Sequence, residues 1–510
     1  MKTSVLRASG APVIGLLWGF LGAAVPAAAD TALTIYSSAE AGAVPAELYR
    51  PVDGAAAMRG SAVPGFAIVR EERELDLPAG RSQQRFADVA AYIDPTTVTF
   101  ASLTEPATRV LEQSFQFDLV DSRKLLQRYL GRNVTVEREQ GGQVSTLEGT
   151  LLSASDGLVL RAADGTVTTL REPAAIRFPQ LPGGLITQPT LEWLLNSPRA
   201  GKQRTRVAYE TGGLTWWADY NLVFKPGADA NSGFLDLSAW VSIVNLSGAS
   251  YRDTRLKLVA GDVQRAASAQ LRPMLRQLGG AMLASAESDA GFTEKSLAEF
   301  HLYTLGRPTD LPDNSTRQLE LFDQVRQIPA RKLLVYRGMA GSFGGGPMLE
   351  RDYGVDANTK VEVRLEFRNE KSLGLGVPLP AGRLRVSQLD LADGSLEFIG
   401  EDRIGHTARD ELVRVRLGTA FDVIGERRQI DFAIDTRARW LEEEIEVRVR
   451  NRKFEPVEVQ VIEPMFRSGQ WKILQHSQGY NKVDAQRIQF AAAIAADGEA
   501  VLRYRVRYSW

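Results

Sequence analysis

Residues 209–263 read YETGGLTWWADYNLVFKPGADANSGFLDLSAWVSIVNLSGASYRDTRLKLVAGDV, and this stretch decides the fold class. In Trp216, Ala218, Tyr220, Leu222 and Phe224 every second residue is apolar, while Trp217, Asp219 and Asn221 point the other way. That is the two-residue period of a half-buried strand. A second strand follows, with Leu235, Leu237, Ala239, Val241 and Ile243 alternating with Asp236, Ser238, Trp240 and Ser242 before Asn245 and the turn-forming Ser247-Gly248. Trp216 is expected in the core. Trp217 either stays exposed, making a contact surface with Asp219 and Asn221, or is covered by the helical insertion or a second sandwich, which makes the block structural.

On the N-terminal side the strand signals begin at Gly65, with FAIVREERELDLPAG, TVTFASL and RVLEQSFQFDL punctuated by Pro78-Ala79-Gly80 and Asp94-Pro95. Residues 122–182 read as a separate small barrel: a short helical pattern from Arg123 to Tyr129, then short strands joined by Asp156-Gly157 and Asp164-Gly165. Asp-Gly suits the positive φ of a tight hairpin turn. The order of helix and strands resembles the Sm-like small barrel. Such barrels often bind RNA, but a spacer or docking role fits this chain better, because fold alone does not fix function.

On the C-terminal side, residues 264–288 change to an Ala-, Gln-, Leu- and Arg-rich helical pattern, interrupted by Pro273 and Gly279-Gly280. Its arginines allow peripheral contact with a membrane surface, although an apolar stripe of this kind also suits the flank of a sheet. Gly341 to Gly346 lacks the Gly-Lys-Ser/Thr ending of a phosphate loop and reads as a loop between strands. From Lys360 to Trp510 the chain is regular β. Val361-Glu362-Val363-Arg364 and Ile445-Glu446-Val447-Arg448 share a wording, and both runs end in Arg-Asn, at Arg368-Asn369 and Arg450-Asn451. They suggest a weak internal repeat or two equivalent sandwich edges with cross-strand ion pairs. The final run, Leu502, Tyr504, Val506, Tyr508 and Trp510, has the aromatic finish of an outer-membrane strand, but most strands here carry charge on the alternate face.

The N-terminus sets the expected compartment. Lys2 and Arg7 precede an apolar run from Ala11 to Val25 and the small-residue segment ending at Ala29, the pattern of a cleaved secretory signal. No later stretch has the length of a membrane helix. Removing Lys2 and Arg7 from 61 basic residues leaves 59 against 62 acidic ones, a balance of -3 that gives no electrostatic case for nucleic acid. With Cys at 0, disulfides, thiolate metal sites and cysteine nucleophiles are excluded, so an exported chain must rely on core burial.

The search for catalytic motifs is mostly negative: no Gly-x-Ser-x-Gly, Ser-x-x-Lys, His-Glu-x-x-His or dinucleotide fingerprint occurs. His301, His406 and His476 stand far apart, and no cofactor or metal is expected. Glu401, Asp402 and His406, with Arg403 between them, are candidates for a base or metal ligand if folded into one cleft. A hairpin at Gly405 with surface ion pairs is the plainer reading. Asp310, Asp313 and Asn314 are a weak calcium pattern interrupted by Pro308 and Pro312.

GLTWWADYNLVF, LDLSAWVSIVNLSGASYRDTRLKLVAGDV, FHLYTL, VPLPAGRLRV, IGEDRIGHTARDELVRVRLGTAFDV and VRNRKFEPVEVQVIEP together resemble the DUF4139 family, a bacterial domain of unknown function distantly similar to mucoidy inhibitor proteins. The blocks run from about Gly65 to the C-terminus, with no clear match over the helical stretch. The resemblance implies an exported, mainly β envelope protein. It assigns no catalytic role to Glu401, Asp402 or His406, because the family has no established catalytic residues.

The expected architecture is therefore mainly β: two β-sandwich-like units with an inserted Sm-like small barrel and a helical insertion. Its divisions are a signal peptide at 1–29, a flexible lead-in at 30–64, a first sandwich part at 65–122, the barrel at 123–182, the rest of the first unit at 183–350, and a second sandwich at 351–510. The expected function is an exported, periplasmic or surface scaffold or binding protein engaging an envelope polymer or another envelope protein. The alternatives are a hydrolase or metal-assisted enzyme using Glu401, Asp402 and His406, and an outer-membrane-associated factor.

Overall fold

The computed structural model describes residues 30–37, 44–49, 60–140, 143–229, 231–261, 263, 291–339, 347–353 and 358–510. The segments read as a signal (1–29), a helical insertion (264–288) and a Gly-rich loop (341–346) lie outside the described residues. The protein is mainly β, 65% strand and 4% helix. Its strands form sheets of 13, 8, 5 and 3 members, none of them closed into a barrel among the described residues. No helix among them is long and apolar enough to cross a membrane.

One pairing pattern repeats along the chain. The Trp-Trp strand Leu214–Pro226 runs antiparallel to Ser232–Asn245, which runs antiparallel to the first part of Ser315–Tyr336. Between them, Tyr251–Ala260 pairs antiparallel with Phe300–Leu305 and parallel with an earlier strand, Asp30–Tyr36. The same arrangement then recurs. The second part of Ser315–Tyr336 pairs with Lys360–Arg368, and that with the first part of Leu412–Asp435; Gly382–Leu389 pairs with Leu396–Ile404 and lies parallel to the Trp-Trp strand. It recurs once more. The second part of Leu412–Asp435 pairs with Trp440–Asn451, and that with Glu499–Ser509; Val457–Pro464 pairs with Arg487–Ile494 and lies parallel to Ser315–Tyr336.

Asp30–Tyr36, Phe66–Leu77 and Gly201–Thr211, together with Gly80–Ala87 and Thr190–Ser197, supply the same antiparallel set at the start of the chain. The chain thus holds four consecutive units, each lending a strand to the next. Where the sequence reading divides the chain into two units, the pairing runs through four. The cause is strands of 22 and 24 residues, each serving two neighbours, against a usual strand of about 5–6.

Each shared strand has a special backbone position where its pairing shifts register. Gln327 has φ +60° and Gly418 φ +150°, and the first hand-over is broken at Gly212-Gly213. Gly213 has φ +78°, and a Cβ there would sit 2.7 Å from the Leu246 carbonyl oxygen and 2.8 Å from Ser247 Cα. Gly213→Ala is expected to cost about 1–3 kcal/mol in denaturant unfolding, because a strained φ and a backbone clash coincide. An effect below about 0.5 kcal/mol, the size of a neutral surface change, contradicts this.

The lead-in is not structureless where described. Asp30–Tyr36 is an interior strand with Leu33 and Ile35 fully buried, and the short helix Ala46–Tyr49 follows. The alternation of Leu33 and Ile35 with Thr34 and Tyr36 carries that strand, and the Ala-, Gly- and Pro-rich composition around it obscures the signal.

The 123–182 segment is a five-stranded sheet preceded by the helix Ser122–Arg128, which Asp121 caps by accepting from the Lys124 N–H at 2.8 Å. Gly157 and Gly165 have φ +80° and +89°, as the Asp-Gly turns require. The strand Asn133–Gln140 lies between Gln143–Ser153 and Ala175–Arg177, and Val167–Leu170 ends the sheet on the other side. Val134, Val136, Leu151, Leu160 and Tyr129 form its own small core.

The last unit is fastened by charge inside its core. Arg427 donates from Nε to Glu463 Oε2 at 2.9 Å, and Tyr504 donates to the same oxygen at 2.7 Å. Arg467 donates to Glu443 at 2.9 Å, and the Tyr508 hydroxyl also reaches Glu443. Tyr504 and Tyr508 are 1% exposed, so the aromatic finish of the chain faces this core and not a lipid girdle.

Candidate functional site

Hydrogen-bond register assembles the outer face of the Trp-Trp strand. Ser242, Trp240 and Ser238 stand opposite Trp217, Asp219 and Asn221, since directly paired residues share a face. Gln318 and Glu320 continue the rows beyond Ser242 and Trp240. On the parallel side, Arg383 and Arg385 lie beside Asp219 and Asn221, with Arg403 and Glu401 beyond them. Five strands therefore place two Trp residues, amides, carboxylates and guanidinium groups on one surface.

The floor of this face is locked. Trp217 is 6% exposed beneath Val44, Leu48 and Tyr49, with the Tyr49 ring 5.5 Å from its own. Its cover comes from the Ala46–Tyr49 segment, not from the elements named by the sequence reading. Asp219 is also buried: its Oδ2 accepts from Ser242 Oγ at 2.6 Å and its Oδ1 from Arg383 Nη2 at 3.1 Å. Ser242 Oγ in turn accepts from Gln318 Nε2 at 3.0 Å. Burial works against the Arg383 charge, but the adjacent Asp219 carboxylate outweighs it and raises the guanidinium above its usual pKa. Of the three residues expected as a contact surface, only Asn221 is exposed.

The rim is open. Trp240 is 37% exposed, and Asn221, Gln318, Glu320, Arg385 and Arg403 are exposed around it. The sequence does show Trp240 on the polar side of its strand. What it does not show is the company brought by pairing across 164 residues, the separation of Asp219 and Arg383.

Glu401, Asp402 and His406 do not converge on one reacting position. Glu401 joins the rim through Arg385 at 3.3 Å. Asp402 is taken up by backbone: its Oδ2 accepts from the Arg416 N–H at 2.7 Å and its Oδ1 from the Arg403 N–H at 2.9 Å. His406 Nδ1 accepts from the Ala381 N–H at 3.1 Å. Asp402 and His406 thus each satisfy backbone N–H groups, and Glu401 makes a surface ion pair.

No family model, curated protein or solved structure matches the chain.

No three His, Asp or Glu side chains among the described residues are grouped to hold a metal. Asp310 and Asp313 instead accept from the Asp253 and Gly248 N–H groups, at 2.8 and 2.9 Å. The VPLPAG block also has a structural use. Its carbonyls at Val377, Pro378 and Pro380 accept from Asn369, Tyr303 and Tyr220.

Proposed function

We propose that the protein is an exported, non-enzymatic envelope protein that binds a polymer or another protein of the cell envelope through the outer face of the Trp-Trp strand sheet. The observation that carries this reading is the half-exposed Trp240, set among exposed amide, carboxylate and guanidinium groups above a locked floor. Trp and Arg are the side chains that most often anchor recognition surfaces, and a pre-ordered floor lowers the entropy lost on binding. The hydrolase or metal-assisted alternative draws no support from the separate hydrogen-bonding duties of Glu401, Asp402 and His406. No cofactor enters the proposal.

The signal pattern at 1–29 supports a periplasmic or surface location, and the DUF4139 resemblance supports the same envelope setting. In this reading the facing sheets of each unit are β-sandwich-like. The five-stranded segment is an Sm-like docking module, supported by its preceding helix and by the last strand lying beside the first.

Crosslinking capture from intact envelopes tests the proposal. The full chain is expected to enrich a specific envelope polymer or protein over an exported control. Trp240→Ala is expected to reduce that enrichment about tenfold, corresponding to ~1.4 kcal/mol, while changing stability by no more than about 0.5 kcal/mol. Absence of enrichment, or full retention by the variant, contradicts the reading.

A further inference from the structure

In each of the three later units the third strand lies parallel to the first strand of the unit before. Tyr251–Ala260 lies on Asp30–Tyr36, Gly382–Leu389 on Leu214–Pro226, and Val457–Pro464 on the second part of Ser315–Tyr336. Three joints are made in this way, and two ends are left over. The second part of Leu412–Asp435, first strand of the fourth unit, pairs with Trp440–Asn451 and has no parallel strand on its other edge among the described residues. Gly80–Ala87, third strand of the first unit, pairs with Thr190–Ser197 and lies on no first strand among them.

The leftover edge of Leu412–Asp435 is open. Residues 347–353 meet it through the Gln429 amide, which donates to the Arg351 carbonyl at 3.2 Å, and make no backbone hydrogen bond to 426–435 among the described residues. Ile430 and Ile434 along it are 44% and 39% exposed. An unpaired edge is a template for another strand. Gly80–Ala87 matches it in length, having the same 8 residues as Gly382–Leu389 and Val457–Pro464.

The internal joints also give a register. Asn245, Asn369 and Asn451 are buried at the ends of the second strands, and Ala239, Val363 and Ile445 precede them by the same interval. Opposite these three stand Tyr220, Leu334 and Gln429. Tyr220 faces Leu384 and Leu334 faces Val459, each the third residue of its strand. Gln429 therefore takes Ser82, the third residue of Gly80–Ala87, and beyond the bulge at Ile430 Asp431 takes Gln83. The same register sets Arg81 beside Arg428, where an internal joint has Arg383 on Asp219 at 3.1 Å. Arg428 also pairs with Glu426, Asp431 with Arg505 and Arg85 with Glu192. Arg81 thus meets a like charge, which weakens the pairing without blocking it.

We propose that copies of this chain join head to tail, with Gly80–Ala87 of one copy lying parallel on the 427–434 edge of the next. Topology selects the occupant. The edge lacks the third strand of a following unit, and the chain carries one third strand that has no first strand to lie on. The interface is heterologous, so it generates open chains or rings of copies and not a two-fold pair. The short ladder, the bulge and the Arg81–Arg428 repulsion keep it weak, with a dissociation constant on the order of micromolar or above. The inference does not rest on the Trp240 face, which uses other side chains.

Cysteine crosslinking of the full chain tests the proposal, and a Cys count of 0 leaves no background. Neighbouring strands lie about 4.8 Å apart, within the roughly 4.4–6.8 Å that a disulfide spans between Cα atoms. On mild oxidation, Gln83→Cys protein mixed with Asp431→Cys protein is expected to give a linked dimer about tenfold faster than Asp431→Cys mixed with Gln143→Cys, a control on another sheet. Either single variant alone is expected to stay monomeric, and a chain carrying both Gln83→Cys and Asp431→Cys to give a ladder of oligomers. Arg81→Asp puts opposite charges at the Arg428 position and is expected to tighten association about tenfold in sedimentation velocity. All four positions are exposed, so unchanged unfolding midpoints separate loss of the joint from loss of folding. The proposal is overturned if the Gln83/Asp431 mixture links no faster than the control, or if a single variant links to itself as fast as the mixture. Unchanged or weaker association of Arg81→Asp also overturns it.

Discussion

Replacing Arg467 with Met is expected to lower stability by about 3–5 kcal/mol, the cost of removing one partner from a buried ion pair. Arg467 is 1% exposed. Its Nε donates to Glu443, Nη1 to the carbonyls of Met348 and Glu350, and Nη2 to those of Arg351 and Tyr353, all at 2.6–3.1 Å. The guanidinium also lies 5.3 Å from the Phe432 and Phe466 ring centres. Met can fill the volume but leaves the Glu443 carboxylate without its paired guanidinium, hydrogen-bonded among the described residues by Tyr508 and Gln429, and strips four carbonyls of their donor. Lys does not rescue the site, because one ammonium cannot span five acceptors. Denaturant unfolding of the single variants and of the Arg467→Met/Glu443→Gln pair measures the coupling. The double variant should recover part of the loss, and hydrogen exchange in 347–353 should rise in both. A single-variant cost below about 1 kcal/mol refutes the assignment, since that is the range of exposed pairs.

The second large effect falls on three asparagines. Asn245, Asn369 and Asn451 are at most 1% exposed, and each stands at the end of the equivalent strand in successive units. Asn451 donates to the Glu455 and Ala495 carbonyls and accepts from the Lys453 N–H. Asn369 does the same for Val377, Ala408 and the Gly376 N–H. Asn245 serves Ala249, Leu311 and the Ser247 N–H. Each amide thus ties the turn after its strand to the loop before the strand that closes the unit. Asn→Ala at any of the three is expected to cost about 3 kcal/mol, because buried backbone groups lose their partners. Asn→Asp is no better, since a carboxylate cannot donate to the carbonyls. The exposed Asn481 is the control, expected within about 0.5 kcal/mol. Equal small effects at all four positions refute the repeated role.

Alternation from Trp216 to Phe224 placed those five side chains in the core, where they lie. The shared wording at Val361 and Ile445, with its terminal Arg-Asn, marks equivalent strands of the third and fourth units. The second copy of that asparagine, Asn245, ends its strand as Val-Asn and escaped the pattern. Strand sharing was not legible, because period-two alternation continues unchanged while a strand leaves one partner and meets the next.

The candidate site was legible only in part. Asp219 and Glu401 sit near one another because of a parallel pairing across the sheet, and spacing along the chain carries no trace of it. Asp402 is adjacent to Glu401 in sequence but binds the Arg416 N–H on another strand. Arg467 gave no signal either, since a single Arg after Met-Phe reads as a surface loop.

The most direct test of the central claim compares envelope association and thermal stability for Trp240→Ala and Trp217→Ala, made in the same full chain. If the rim binds and the floor supports, Trp240→Ala loses association about tenfold at unchanged stability. Trp217→Ala, in contrast, loses about 3–5 kcal/mol of stability. Full association by a folded Trp240→Ala protein contradicts the account.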